Sequence, residues 1–432
     1  MKKFVGREKE QKYLNSTLKS NKSEFIIMYG RRRLGKTTLL KQTLKDKEGI
    51  YFLSSLEDSK KNLEELKQLF AQKFNNKLYL TQDDSFSSYI HSIHTLLPKN
   101  FTIIIDEFPF LIKNDKSITS QFQKLYDEYL KDNNINLILC GSSISVMTDI
   151  QSYSSPLYGR RSGSIYLKEF TLKDSKSYFN KIKSLEDITK YHLLFGGIPY
   201  YYEQIDQELS FKKNIEKMFF ESIFFIDEPI FLLKEEFRET KNYFSILKSI
   251  ARGKTKFGEI ADDSLIDRGT LSTYLTNLER LSIVEIERSF FDKENSKKTI
   301  YQIKDNFLYI YFTILNKYKS TLDNPQIQQQ IIKELLPKSL GYLFEKEVRR
   351  ILSKHYEKIG IYFNKEIEID IIGKKGDTID VIECKFQKKI NENTILSKLN
   401  EKVKLLPKEF KYNTKIVSID SGINLDKLYG LV

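Results

Sequence analysis

The run Gly30-Arg31-Arg32-Arg33-Leu34-Gly35-Lys36-Thr37-Thr38 is where residue types and spacing point most directly to chemistry. Its first eight residues fit G-x-x-x-x-G-K-[ST]. They lie behind an apolar strand pattern and ahead of a helical one, the context this phosphate-cradling loop requires. With 18 glycines in 432 residues, chance supplies on the order of 0.01 such matches. Gly30 and Gly35 let the backbone turn its N–H groups toward phosphate oxygens. The helix opening near Lys36 adds the positive end of its dipole. Lys36 would reach the β- and γ-phosphates of ATP, and the Thr37 hydroxyl would ligate Mg²⁺. Arg31, Arg32, Arg33, Leu34 and Thr38 complete the expected nucleotide-binding stretch.

A second group complements the first. The apolar run Phe101–Ile105 leads into Asp106 and Glu107. On a buried strand, Asp106 would stand at the metal's outer sphere, and Glu107 would orient and deprotonate the attacking water. Another apolar run ends in Cys140, Gly141, Ser142 and Ser143. Ser142 or Ser143 could sense a γ-phosphate, or could cap the following helix. Arg160 and Arg161 follow Tyr158 and Gly159. Either could stabilise charge on the transferring phosphoryl group, in cis or from another subunit, or could serve a fold-stabilising ion pair. Sequence does not rank them.

The third group lies near the C-terminus: Glu345, Asp370, Glu383 and Lys385. With 58 acidic residues and at most 71 lysines, chance alone supplies up to about 9 acid-x-Lys matches, so placement must carry the argument. Asp370 ends one expected strand. Glu383 and Lys385 stand two apart on the next, hence on one face. Glu345 sits on the preceding amphipathic helix. Carboxylates and a lysine on one sheet face make a hard-cation site, with Mg²⁺ held by Asp370, Glu383 and the Cys384 carbonyl, and Glu345 as a further acid. Lys385 would orient a nucleophile or stabilise charge. The alternative is a surface hairpin merely solvated by these charges.

Stepping from residues to elements, positions 1–165 alternate buried strands (Phe25–Tyr29, Ile50–Leu53, Phe101–Ile105, Ile135–Cys140) with helical stretches (Thr37–Leu44, Lys61–Phe74, Ser120–Leu130). That rhythm predicts a parallel sheet with crossover helices. Residues 166–241 show helices without strands, an all-helical lid. Residues 242–304 read as helices Tyr243–Ala251, Lys256–Asp262 and Arg268–Leu281, then strands Ile283–Arg288 and Thr299–Ile303 around a polar tip, Asp292–Lys298. That is the order of a winged helix-turn-helix. Residues 305–337 form a helical connector broken at Pro325. Residues 338–432 then run α-β-β-α-β: the helix Leu340–Leu352, strands Ile361–Ile372 and Thr378–Phe386 about the turn Gly373–Gly376, the helix Asn393–Leu406 and the strand Thr414–Ile419.

Taken together, Phe4-Val5-Gly6-Arg7-Glu8, the phosphate loop, Asp106-Glu107-Phe108, Cys140 to Ser143, Pro156 to Arg161 and Gly196-Gly197-Ile198-Pro199 resemble the archaeal-type ATPases, in the STAND branch of AAA+-like proteins. The resemblance covers essentially the whole chain. It implies that Gly6, Arg7 and Glu8 lie near the adenine, and that the turn at Pro199 sits at the lid near the base or sugar. It also implies a winged helix and a C-terminal domain like the PD-(D/E)XK nucleases. The expected class is α/β: an AAA+-like P-loop sheet with a helical lid, a winged helix, and a restriction-endonuclease-like domain. The expected function is ATP hydrolysis coupled to a DNA-binding, metal-dependent nuclease-like domain, in defence or mobile-element biology. Its rival is a non-cleaving, ATP-driven switch that binds DNA or a partner protein.

Composition bounds these readings. Lys+Arg number 71 against 58 Asp+Glu, a net charge of +13, which favours nucleic acid as partner, double-stranded DNA in particular, or reflects lysine used to solvate surfaces. Self-association into a homo-oligomer is a further expectation. Cys140 and Cys384 stand in apolar runs, and His91, His94, His192 and His355 are scattered. No disulfide framework or zinc cluster follows from them. The start, Met1 to Glu10, runs straight into charge, and Phe219–Leu233 is interrupted by Glu221, Asp227, Glu228 and Pro229. Neither predicts a signal peptide or a membrane span, so a cytoplasmic location without membrane partners is expected.

Overall fold

The computed structural model describes residues 4–237, 239–293 and 298–432. The chain divides into two compact units, Met1–Glu169 and Phe170–Val432. In the first, β1 (Phe25–Tyr29), β2 (Gly49–Leu53), β3 (Thr102–Asp106), β4 (Asn136–Gly141) and β5 (Gly163–Tyr166) form one sheet in the order β2-β3-β4-β1-β5. Every neighbouring pair is parallel. Each residue of β3 and β4 is buried, as strands covered on both faces must be. Helices Lys36–Leu44 and Ser59–Phe74 follow β1 and β2. Phe25, Phe70, Phe101, Ile103 and Leu137 belong to the core beneath them. Register places Tyr29 opposite Gly141 and Ile105 opposite Leu139. The loops leaving β1, β3 and β4 therefore open at one edge, the C-terminal edge where ligands of parallel sheets bind.

Two elements of this unit depart from expectation. The strand β5 pairs with β1 at the sheet edge; it is four residues long and buries only Ile165, too little for an apolar run to announce it. The stretch Ser120–Leu130 is not one α-helix: Ile118–Lys124 is α-helical, and Leu125–Leu130 widens into a π-helical turn.

The second unit begins with helices only, from Leu172 to Glu236. Gly196 ends the helix Leu185–Phe195 in the left-handed conformation, and Pro199 opens the next helix in its first turn, where the missing N–H is not needed. Helices Lys241–Ala251, Phe257–Ser264 and Arg268–Arg280 precede an antiparallel hairpin of β6 (Val284–Arg288) and β7 (Thr299–Ile303). A four-stranded sheet follows, in the order β11-β10-β9-β8: β8 (Lys358–Phe363), β9 (Glu368–Lys375), β10 (Thr378–Lys385) and β11 (Lys411–Ser418). β8, β9 and β10 are antiparallel in turn, and β11 is parallel to β10.

Here the structure corrects the expected α-β-β-α-β order to α-β-β-β-α-β-α, with a last helix at Leu425–Leu431. The stretch Ile361–Ile372 is two strands, because Asn364 folds the chain back: its side chain accepts from the amides of Glu366 and Ile367 at 2.8 Å each. Gly373 is a strand residue rather than part of the turn. Pro337 sits in the first turn of the helix Leu336–Leu352, which continues from a π-helical turn at Ile331–Leu335.

Candidate nucleotide site and acidic cluster

The phosphate loop owes its path to its glycines. Gly30 has φ +154°, and a Cβ there would lie 2.4 Å from the Leu167 carbonyl oxygen; Gly35 has φ +82°. Lys36 folds back into the loop, donating to the carbonyls of Gly30 (2.8 Å) and Arg31 (2.9 Å). Burial lowers its ammonium below the usual lysine range, against the pull of Cys140, Glu107 and Asp106. Thr37 and Thr38 are exposed, whereas Leu34 packs into the core. Arg7 is buried and donates to the Leu34 carbonyl at 2.9 Å, while the Gly6 amide donates to Glu8 at 3.2 Å. Arg32 lies 6.0 Å from the centre of the Phe110 ring. Arg31 and Arg33 flank it in the same loop.

At the facing strand end, Asp106 collects donors. Its Oδ2 accepts from the Thr37 hydroxyl at 2.7 Å and from the Tyr51 phenol at 2.7 Å, and its Oδ1 from the Glu107 amide at 2.9 Å. Burial and hydrogen bonding to Asp106 push the Tyr51 phenol up, so it donates as O–H. Sequence reading missed Tyr51, since only the register of β2 on β3 brings it there. Glu107 takes a left-handed φ of 53°, a conformation non-glycine residues hold at some cost. Its carboxylate accepts from the Ser142 hydroxyl and, at 3.4 Å, from the Ser142 amide. Ser143 makes no side-chain cap on the following helix. A hydroxyl, a carboxylate and an ammonium at one edge suit a nucleotide-bound Mg²⁺, with Thr37 and Asp106 as the groups that would hold it.

The two arginines differ. Arg160 is held by Asp127 (2.8 Å) and by the carbonyls of Pro156 (2.7 Å) and Tyr158 (3.1 Å). Arg161 is exposed and makes one long bond, 3.5 Å, to the Gln151 carbonyl. Pro199 belongs to the second unit.

Within that second unit, Glu345, Asp370, Glu383 and Lys385 do form an electrostatic cluster. Burial, with Asp370 beside it, pushes Glu345 up to about 8. Burial and Glu383 push Asp370 up to about 6, opposed by the Cys384 amide, which donates to it at 2.8 Å. Burial would raise Glu383 too, but Lys385 at 2.7 Å and Lys402 at 3.2 Å hold it down. Lys402, on the helix Glu392–Val403, belongs to no motif and was missed. Among the described residues no three His, Cys, Asp or Glu side chains are grouped to hold a metal ion. Glu345 is the carboxyl beside Asp370 on the helix side of this cluster. What fits a hard cation is the smaller set of Asp370, Glu383 and the Cys384 carbonyl.

Two further features of this unit were not legible. The far end of the β6–β7 hairpin is anchored: Phe290 shares a core with Ile369, Ile372, Ile379 and Val381, and its amide donates to Ile361 at 2.8 Å. The helix Leu336–Leu352 grips the same hairpin through Lys346–Glu285 (2.7 Å) and Arg349–Glu287. It also places Glu347 against buried His192, 3.3 Å away. Arg268, Thr270, Ser272 and Thr273 of the Arg268–Arg280 helix are exposed, as is Lys293; Lys297 lies outside the described residues.

A glycine-built loop between a parallel strand and a helix, with Lys36, Thr37 and Asp106 at one sheet edge, defines a P-loop nucleoside triphosphatase fold. Residues 4–205 match the family described as an ATPase domain predominantly from Archaea, and residues 311–401 match one described as archaeal and bacterial proteins of unknown function. An uncharacterized protein of Methanocaldococcus jannaschii is 35% identical over 380 residues, covering 85% of this chain and 84% of its own. An uncharacterized ATP-binding protein of the same organism is 47% identical over 45 residues, 10% of this chain and 76% of its own. A Walker-type ATPase of Pyrococcus abyssi has the same fold at TM-score 0.53 and 22% identity, covering 72% of this chain and 96% of that one. The chain belongs to the archaeal-type P-loop ATPase family.

Proposed function

We propose that this ATPase couples ATP binding and hydrolysis to a DNA-binding, metal-dependent nuclease-like domain. In the ATP site, Lys36 holds the β- and γ-phosphates, Thr37 and Asp106 hold Mg²⁺, and Glu107 deprotonates the attacking water. Ser142 contacts the γ-phosphate. Arg161 is the arginine available to a phosphoryl group, since Arg160 is committed to Asp127. Gly6 and Arg7 border the base, and Pro199 belongs to the lid.

The observation that carries the nuclease reading is the α-β-β-β-α-β-α unit with Asp370 and Glu383 on adjacent antiparallel strands and Lys385 on the face of Glu383. A PD-(D/E)XK nuclease presents its acids in this way. Mg²⁺ bound by Asp370, Glu383 and the Cys384 carbonyl would polarise a phosphodiester. Lys385 and Lys402 would hold the phosphate or orient the nucleophile. The exposed polar face of Arg268–Arg280, with Lys293, suits duplex DNA. The test is plasmid nicking with Mg²⁺ or Mn²⁺ and ATP, which Lys385→Ala must abolish.

One observation favours the second reading, a non-cleaving switch. Glu383 is already neutralised by Lys385 and Lys402, which supports a C-terminal unit that only binds. No nicking under any metal, with intact ATPase activity, decides for it.

A further inference from the structure

We propose that Tyr51 is a positioning residue of the ATP site: it holds the Asp106 carboxylate in place for Mg²⁺. In the structure the Tyr51 and Thr37 hydroxyls both donate to the same oxygen, Asp106 Oδ2, each at 2.7 Å. Asp106 is almost fully buried, so an oxygen that lost its donors would carry a desolvation cost. The Thr37 hydroxyl is the group that this loop offers to Mg²⁺. A hydroxyl that ligates a cation through an oxygen lone pair can keep donating its proton to Asp106, but its position then follows the metal and the loop. Tyr51 belongs to neither, so its hold on Asp106 is independent of both.

Its place is fixed independently of the loop. Tyr51 sits in the middle of β2, directly opposite Ile104 of β3, the strand that ends in Asp106. The chain beyond β2 reinforces the same point: the Ser54 amide and hydroxyl both donate to the Asp106 carbonyl at 2.9 Å. Lys41 lies 4.9 Å over the Tyr51 ring and keeps the phenol against the helix that begins at Lys36. One strand thus secures both ends of Asp106, backbone through Ser54 and carboxylate through Tyr51. A carboxylate so held meets the metal preorganised.

Tyr51→Phe removes the hydroxyl and keeps the ring that packs under Lys41. Binding of a fluorescent ATP analogue is measured over a Mg²⁺ series and in excess chelator, for wild type, Tyr51→Phe, Asp106→Asn and the double variant. Melting without nucleotide is recorded for all four. Tyr51→Phe should bind the analogue normally in chelator but lose about tenfold of the gain that Mg²⁺ gives, the scale of one hydrogen bond to a charged group. On Asp106→Asn it should add nothing. Wild-type Mg²⁺ dependence in Tyr51→Phe overturns the proposal. So does equal weakening with and without Mg²⁺, which would be a packing effect, and so does a full further loss on top of Asp106→Asn. If Tyr51→Phe melts early, its affinity in chelator separates the cases: normal affinity there with a lost Mg²⁺ gain supports the proposal, and an equal loss in both overturns it.

Discussion

The hydroxyl of Ser142, at the end of β4, donates to the carboxylate of Glu107, at the end of β3. The proposed sensor and the proposed base therefore hold each other, and Ser142 cannot turn wholly to a phosphate without loosening Glu107. Glu107→Gln should bind ATP with near wild-type affinity and lose turnover by roughly 100-fold or more, the scale of general-base catalysis. Ser142→Ala should slow turnover about tenfold at unchanged affinity, as expected for one bond to a charged group. Steady-state hydrolysis beside analogue binding separates the two. Wild-type turnover by Glu107→Gln would show that Glu107 is not the base.

Lys36→Ala should abolish nucleotide binding rather than slow turnover. The ammonium is buried among loop carbonyls, and its removal takes away both the loop's internal tie and its only motif cation for the phosphates. Calorimetric titration with ATP and Mg²⁺ measures this. Retained affinity would mean that Arg31, Arg32 or Arg33 carries the phosphates.

These ATP-site residues were legible because the motif is short-range: Gly30 to Thr37 are neighbours in sequence, and Asp106 and Glu107 follow a recognisable buried strand. The rest of the site depends on what lies opposite in space. Tyr51 is an ordinary strand tyrosine until β2 registers on β3. Lys402 is one of many helix lysines until its helix covers β10. His192 and Glu347 are 155 positions apart, and nothing in either neighbourhood announces the other. Phe290 falls between the expected strand Ile283–Arg288 and the tip Asp292–Lys298, in no element read from the sequence, yet it fills the core of the C-terminal sheet. Element types survived better than boundaries. Asn364 turned one expected strand into two.

The His192–Glu347 pair makes the second unit acid-sensitive. Burial alone would push the Glu347 carboxyl up; His192 and Arg350 outweigh it and hold it at about 2. A carboxyl depressed on folding contributes stability at pH values above its unfolded pKa, near 4.3, and loses it as pH falls through the folded value. That contribution is roughly 3 kcal/mol, withdrawn between about pH 4.5 and 2. Urea unfolding of the full chain at pH 6 and pH 3 should show Glu347→Gln less stable at pH 6 and the difference shrinking at pH 3. A difference that is the same at both pH values would exclude the linkage.

DNA binding should depend on salt with a log–log slope of roughly −0.9 per phosphate contact on duplex DNA. Arg268→Ala should weaken binding on all sequences and reduce that slope by about one contact. Phe290→Ala should act differently. It empties a buried site at a cost of about 3–5 kcal/mol, so the second unit should melt early while the ATP site still binds nucleotide. Binding measured from 50 to 300 mM salt and melting with nucleotide separate the cases. Salt-independent binding would assign the helix Arg268–Arg280 an internal packing role.

The metal prediction needs the full chain, because Phe290 and the His192–Glu347 contact tie residues 338–432 to the rest of their unit. Buried carboxyls crowded at Glu345, Asp370 and Glu383 repel one another, and a divalent cation relieves that repulsion by binding the folded state. In an Asp106→Asn background without nucleotide, which silences the ATP site, Mn²⁺ should raise the melting temperature. Asp370→Asn and Glu383→Gln should each remove that shift and any nicking. Lys385→Ala should keep the shift, or enlarge it by freeing Glu383, and lose nicking. Lys402→Ala should enlarge the shift for the same reason, since it too competes with metal for Glu383. Glu345→Gln should reduce the shift if Glu345 joins Asp370 and Glu383 at the cation, and leave it in place if those two suffice. If Mn²⁺ shifts nothing and the full chain with ATP nicks no plasmid, the C-terminal unit is not a metal centre, and its acids and lysines serve only to bind one another.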